Sequence, residues 1–154
     1  SAVATFVGQN YGAKNYDRIA KTYKIVLSNI LILGGIITVI FVFFPRPLYG
    51  IFFKDEKMIT LGISYLSIVG FSQLFMCAEI TTSGAFNGMG KTLQPTVISI
   101  IFTSLRIPIA LILIPLLGLN GIWWSISLTS IAKGILVVVL FLIVLKKIDV
   151  KETK

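Results

Sequence analysis

Four long apolar segments constrain this chain more than any other feature of its sequence. Residues 25–44 contain no charged side chain, and residues 59–86, 93–117 and 121–145 contain only Glu79, Arg106 and Lys133 respectively. A helix needs about 20 mostly apolar residues to cross a bilayer. The lipid core contains no water to hydrogen-bond with the backbone, so each segment must satisfy its own N–H and C=O groups by crossing as an α-helix. The sequence therefore predicts an all-α integral membrane fold, a bundle of four complete transmembrane helices.

The composition supports a membrane protein and argues against other classes. Only 13% of the 154 residues are charged, whereas soluble domains average about a quarter. This argues against a soluble enzyme, a disordered tail and a nucleic-acid-binding module. The chain has no His, and its single cysteine, Cys77, cannot form an internal disulfide. With no metal-ligand cluster, nucleophile–base pair or phosphate-binding loop, we expect no catalysis, no metal, no cofactor and no nucleic-acid partner.

The predicted organisation follows the apolar segments. Helices are expected at 15–44, 59–86, 93–117 and 121–146, with a cytoplasmic tail at 147–154. The opening SAVATFVG would rise only about 12 Å as a helix, too little to cross a bilayer. Residues 1–10 are therefore predicted to be the end of a helix whose beginning lies outside this chain. Between the first two helices, Tyr49, Phe52 and Phe53 suit a loop at the membrane interface.

The basic residues predict which side of the membrane each loop faces. Nine Lys and Arg residues lie in three segments: residues 9–24, the loop that contains Lys91, and the tail. Because the chain crosses the membrane four times, these three segments fall on the same side. The other side has three: Arg46, Lys54 and Lys57. Cytoplasmic loops carry the excess of Lys and Arg. We therefore expect a multi-pass protein of the cell membrane with a cytoplasmic C-terminus.

Four motifs in order carry a family resemblance. They are FVGQNYGAKNYDRIAK, IFFKDEKMITLGISYLSI, GAFNGMGKTLQP and RIPIALILIPLLGLNGIWWSIS. Together they resemble the multidrug and toxin extrusion (MATE) family, in which a GQ(N)YGA-type motif closes the second helix of each half. Here that motif consists of Gly8, Gln9, Asn10, Tyr11, Gly12 and Ala13. We expect it to form a tight transition from helix to loop.

The resemblance implies an architecture and an activity. MATE proteins have twelve helices in two six-helix lobes, so this chain resembles most of the C-terminal lobe, from the end of helix eight to helix twelve. Members are secondary antiporters that expel organic cations and drugs in exchange for H⁺ or Na⁺. The implied partners are the lipid bilayer, the missing N-terminal lobe and small organic cation substrates. The implied mechanism is alternating access.

Three intramembrane charges are the candidate residues for an ion or substrate cavity. Each of Glu79, Arg106 and Lys133 costs about 2.5 to 3.5 kcal/mol near the bilayer centre unless paired or hydrated. Glu79 is either a carboxylate that binds a proton, sodium ion or cationic substrate, or a member of a structural ion pair. Pairing Glu79 with Arg106 would have to close an axial offset of roughly 9 Å. Lys133 then lacks an acidic partner, although it aligns by helical spacing with a polar stripe of Ser125, Thr129 and Ser130. A structural or hydrated role is favoured for both cations.

Two further features leave alternatives open. Gly84 and Gly88 form a small-xxx-small pair that predicts close helix packing. Two cations near the midplane would also suit a phosphate-bearing substrate, which keeps a lipid-linked sugar or polysaccharide flippase of the same superfamily as an alternative. A four-helix membrane scaffold without transport of its own is the other alternative. The GQNYGA motif argues against the flippase, and the partial first helix argues against the scaffold.

Overall fold

The structure, a computed structural model, describes residues 2–152, with side chains as far as Ile148. Within that range the regular elements are six helices. They are α1 (Ala2–Gly12), α2 (Tyr16–Phe43), α3 (Pro45–Phe52), α4 (Glu56–Gly88), α5 (Leu93–Leu117) and α6 (Leu119–Glu152). Four of them, α2, α4, α5 and α6, are long and apolar enough to cross a membrane. The predicted all-α membrane fold is confirmed.

The helix boundaries differ from the predicted ones mainly at the last helix. Helix α5 begins and ends at the predicted residues, whereas α4 is longer by a few residues at both ends. Helix α6 continues to Glu152, through most of the segment predicted as a tail. Residues 153 and 154 lie outside the described part of the chain.

The segment predicted as an interfacial loop contains the helix α3, which the sequence analysis missed. Pro45 occupies its first position, where a missing N–H costs nothing. The ring of Tyr49 covers Gly62 of α4 and stacks on Phe53 with ring centroids 5.7 Å apart. Phe52 stays exposed on the other face. This short amphipathic helix suits the membrane interface.

Helix α4 is the centre of the bundle. It packs against α1, α2, α3 and α6, while α5 packs mainly against α6. Small residues allow these close approaches. A Cβ on Gly88 would collide with the carbonyl oxygen of Ala4 in α1, and one on Gly70 would lie 3.0 Å from the Cβ of Phe41 in α2. Gly84 is also buried in α4.

A cluster of apolar side chains closes one end of the bundle. The ring of Phe141 lies 4.4 Å from that of Tyr23 and 5.0 Å from that of Phe86, centroid to centroid. Val7 and Ile98 belong to the same cluster. It joins the end of α1, the start of α2, the end of α4, the start of α5 and the end of α6. The basic segments between these helix ends therefore share one end of the molecule.

Candidate functional site

An ion pair joins α4 and α6, the two most extensively packed long helices. The Nζ atom of Lys133 in α6 lies 3.1 Å from Oε1 of Glu79 in α4. The two side chains are only 11% and 15% exposed. The packing of this chain alone thus buries most of both side chains, and the two opposite charges neutralise each other.

A glycine beside Lys133 explains why these two side chains meet. A Cβ on Gly134 would lie 2.6 Å from the carbonyl oxygen of Phe75, so the backbones of α6 and α4 nearly touch there. Phe75 lies one helical turn before Glu79, on the same face of α4. The close crossing at Gly134 therefore brings Lys133 within reach of Glu79.

The expectation that Lys133 has no acidic partner is wrong. Glu79 pairs with Lys133 rather than Arg106, because α4 has only a small contact with α5 but a long one with α6. An axial offset between Glu79 and Arg106 was recognised from the sequence. The contact between helices decided the pairing.

Arg106 is held by hydroxyl groups instead. Its Nε donates to Oγ1 of Thr129 over 3.1 Å, and its Nη2 donates to Oγ of Ser130 over 3.2 Å. The hydroxyl of Thr129 donates in turn to the carbonyl oxygen of Ser125 over 2.7 Å. Because the Thr129 hydroxyl donates its hydrogen to a backbone carbonyl, its oxygen is free to accept a hydrogen bond from the guanidinium of Arg106. Among the side chains that are described, Arg106 forms no ion pair.

The hydroxyl partners of Arg106 were visible in the sequence but assigned to another residue. Thr129 and Ser130 share a polar stripe of α6 with Lys133, and the pattern alone suggested that they surround the lysine. A second polar contact had no sequence signal. Tyr23 donates to the hydroxyl of Thr82 over 2.7 Å in a buried contact between α2 and α4.

The GQNYGA segment forms the end of α1 and the turn after it. The Nδ2 of buried Asn10 donates to the carbonyl of Phe6 over 2.9 Å, and the Asn10 carbonyl accepts from the backbone N–H of Asn15 over 2.9 Å. Lys14, with φ 57°, takes the left-handed position in the turn after α1. Gln9 is exposed. The contacts of this segment are those of a helix end.

The remaining motif glycine, Gly8, lies at the crossing of α1 and α4. A Cβ there would come 3.1 Å from the carbonyl oxygen of Gly88. Tyr11 makes an edge contact with the ring of Tyr16 across the turn. Within the described residues, no group of three or more His, Cys, Asp or Glu side chains is arranged to hold a metal ion.

These features coincide with a family match over most of the chain. A model of the family described as MatE matches residues 1–112, which include the GQNYGA segment and both Glu79 and Arg106. The chain belongs to the MatE family. The resemblance drawn from the four motifs is confirmed, and four apolar helices fit the multi-pass membrane proteins of that family.

Two curated proteins are similar to this MatE chain. One, named "Probable multidrug resistance protein NorM", is from Thermotoga maritima; it is 29% identical over 144 residues, covering 92% of this chain and 31% of that protein. The other, named "Probable multidrug resistance protein YoeA", is from Bacillus subtilis; it is 26% identical over 125 residues, covering 79% and 27%. The chain thus spans about a third or less of the relatives it matches.

A solved structure shows the same fold. A MOP superfamily transporter from Pyrococcus furiosus superposes with a TM-score of 0.83, at 19% identity, over 96% of this chain and 34% of that one. At that identity the likeness concerns the fold alone. The helical bundle therefore matches about a third of a MOP superfamily transporter.

Proposed function

We propose that this chain is most of the C-terminal lobe of a secondary active transporter that exports organic cations or drugs in exchange for H⁺ or Na⁺. Membership of the MatE family supports transport rather than catalysis. Both similar curated proteins are named as multidrug resistance proteins. The observation that carries the coupling part of the proposal is the buried Glu79–Lys133 pair between α4 and α6.

The pair offers a physical route from ion binding to movement. A coupling ion shifts a conformational equilibrium only if it binds one state better than the other. A proton or sodium ion that takes the carboxylate of Glu79 would displace the ammonium of Lys133. A buried, uncompensated ammonium is costly, so the packing of α4 against α6 would become unfavourable. In alternating access, that change would favour the other orientation of the lobe.

The proposal includes the placement of the chain in the membrane. The basic segments meet at one end of the bundle, around the cluster of Tyr23, Phe86 and Phe141. The positive-inside rule then assigns that end, and the C-terminus, to the cytoplasm. The remaining two thirds of the relatives' length would supply the other lobe and the opposite wall of the substrate cavity.

Drug-cation efflux by the full-length transporter tests the proposal, with wild type and Glu79→Gln compared at matched amounts of folded protein. The amide of Gln has nearly the same volume and still accepts a hydrogen bond from Lys133, although it no longer neutralises the ammonium, and the matched amounts of folded protein correct for the resulting loss of stability. The amide binds neither a proton nor a sodium ion as a carboxylate does. We expect gradient-driven efflux to be lost, and separate proton and sodium gradients identify the coupling ion.

Two control variants separate coupling from structure. Glu56→Gln makes the same change in an exposed ion pair with Arg46 and should leave efflux unchanged. Exchanging the charges, Glu79→Lys with Lys133→Glu, keeps an ion pair but moves the carboxylate to α6. Rescue of stability without rescue of coupled efflux supports the proposal. Normal coupled efflux in Glu79→Gln would assign Glu79 a structural role and move coupling to the other lobe.

A second candidate function rests on Arg106. Within the described side chains its charge has no carboxylate partner, so the membrane-embedded part of the chain keeps a net positive charge. That charge favours an anionic substrate, such as the phosphate of a lipid-linked sugar. The report on the structurally similar Pyrococcus furiosus transporter speaks of a reversed polarity of its binding pocket and a different function.

The same transporter distinguishes the two candidates. If it exports organic cations, Arg106→Gln should leave that export intact or improve it, because a positive charge is removed. If it instead moves a lipid-linked sugar phosphate and no cation, the flippase function is supported and Arg106→Gln should abolish it. A wild type that transports neither class would favour a scaffold.

A further inference from the structure

A cavity of about 230 Å³ lies between the start of α2 and the end of α6, away from the intramembrane charges. Asp17 and Lys24 of α2 and Lys146 of α6 contribute its charged groups. Leu142 and Leu145 of α6 form an aliphatic part of its wall. No step of the proposed transport uses this cavity.

The two lysines lie at the same level of the membrane. Lys24 is the last charged residue before the apolar segment 25–44, and Lys146 is the first after the apolar segment 121–145. The apolar segments begin and end where the hydrocarbon core does, so both ammonium groups reach the level of the lipid phosphates. Both lysines are exposed, and within the described side chains neither forms an ion pair.

The wall below the lysines points to a lipid rather than a soluble anion. Leu142 is 43% exposed, one helical turn from Lys146 on the side of the hydrocarbon core. Leu145 is buried and closes the cavity from behind. A phospholipid places a phosphate against the ammonium groups and an acyl chain against Leu142. Inorganic phosphate would make only the polar contacts.

The net charge of the cavity indicates which class of lipid headgroup it can bind. Two lysines and one aspartate give the cavity a net charge of plus one, which a single phosphodiester neutralises. Basic pockets between transmembrane helices on the cytoplasmic side bind anionic headgroups. We infer that this cavity binds one anionic phospholipid, such as phosphatidylglycerol, through its phosphodiester. The inference rests on the proposed placement of the chain in the membrane and not on the proposed transport.

Lipid retention by the full-length protein in detergent tests the inference, with native mass spectrometry across a phosphatidylglycerol titration. The variant Lys24→Gln/Lys146→Gln removes both ammonium groups from the cavity. Lys21→Gln/Lys147→Gln is the matched control, since it removes the same charge from exposed positions of the same helices outside the cavity lining. We expect each cavity lysine to account for about a fivefold change in lipid affinity and the control pair for little. Equal losses in both double variants would overturn the inference in favour of general surface attraction.

Further measurements distinguish a bound phospholipid from a bound inorganic phosphate. Leu142→Ser should weaken retention of phosphatidylglycerol, while Ile143→Ser, at an exposed neighbouring position outside the cavity lining, should not. Displacement of the lipid by millimolar inorganic phosphate, at constant ionic strength, would assign the cavity to a soluble anion and overturn the lipid. Equal retention of phosphatidylethanolamine, lost in Asp17→Asn, would overturn the anionic headgroup, because the carboxylate would then bind the headgroup amine.

Discussion

Helix α6 takes part in the contacts of two intramembrane cations, in opposite ways: Lys133 is buried and Arg106 is half-buried. Towards α4, the ammonium of Lys133 meets the carboxylate of Glu79. Towards α5, the side chains of α6 are the acceptors, and hydroxyls of Thr129 and Ser130 bind the guanidinium of Arg106. The first contact is neutral overall, whereas the second keeps a full positive charge.

The difference shows which contact an ion can switch. A carboxylate changes its charge when it binds a proton and exchanges one cation for another, so the α4–α6 contact has two chemical states. Hydroxyl groups stay neutral under physiological conditions, so the acceptors of the α5–α6 contact have only one charge state. In the proposed transport, ion coupling within this chain therefore belongs between α4 and α6.

The largest expected effect comes from removing one partner of the buried pair. Glu79→Ala leaves the Lys133 ammonium buried without compensation and should lower the free energy of unfolding by about 3–5 kcal/mol. Removing both side chains in Glu79→Ala/Lys133→Ala should recover most of that loss. Thermal unfolding of the full-length protein in detergent measures both. An equal loss in Glu56→Ala, from the exposed pair with Arg46, would show that burial does not matter here.

The second largest effect is expected at the close crossing of α4 and α6 that positions the Glu79–Lys133 pair. Gly134→Ala places a Cβ against the Phe75 carbonyl and should destabilise the protein by about 1–3 kcal/mol through overpacking. It should also separate Glu79 from Lys133, so the coupling energy of a double-mutant cycle on the pair should fall. Gly35→Ala is the control, because its Cβ would meet only a Leu74 methyl at 3.9 Å. A loss of similar size at Gly35 would contradict the close crossing.

A smaller effect is expected at the guanidinium. Arg106→Leu removes two hydrogen bonds but leaves Thr129 its bond to the Ser125 carbonyl. The free energy of unfolding should change by about 1 kcal/mol or less, well below the change for Glu79→Ala. Chemical denaturation of both variants side by side measures the difference. A loss at Arg106 equal to that at Glu79 would remove the contrast between the two contacts.

The smallest effect concerns the hydroxyl of Ser127, a buried residue of α6. The Oγ of Ser127 is buried and has no hydrogen-bond partner among the residues that the structure describes. Ser127→Ala should leave stability unchanged or raise it by less than about 1 kcal/mol, because the variant buries one polar group fewer. Ser125→Ala is the matched control, since that hydroxyl donates to the Ile122 carbonyl over 2.7 Å. A drop in melting temperature for Ser127→Ala larger than for Ser125→Ala would indicate a partner for Ser127.

The contacts of the charged residues were only partly predictable. The free-energy cost of placing a charge in lipid identified Glu79, Arg106 and Lys133 as residues that need partners. The stripe of Ser125, Thr129 and Ser130 on α6 was also readable, but a stripe does not say which neighbour it faces. The pairing depends on which helices touch and at what height.

Helix α3 was missed for a related reason. Eight residues with two prolines and two aromatic side chains between long apolar segments have the composition of a loop. Their helix is stabilised by Tyr49 packing over Gly62 of α4, and that contact joins residues distant along the chain. A short segment has too few residues to form a stable helix by propensity alone.

The sequence by itself determined the number of membrane-spanning helices and the grouping of the basic segments at one end. It did so because the thickness of a bilayer and the cost of burying charge act on each segment separately. Only the tertiary structure decided that Glu79 binds Lys133 and that Arg106 binds hydroxyls. Those partners follow from the rotation and spacing of α4, α5 and α6. Close contacts at residues such as Gly134 set that spacing, and they exist only when the helices are packed together.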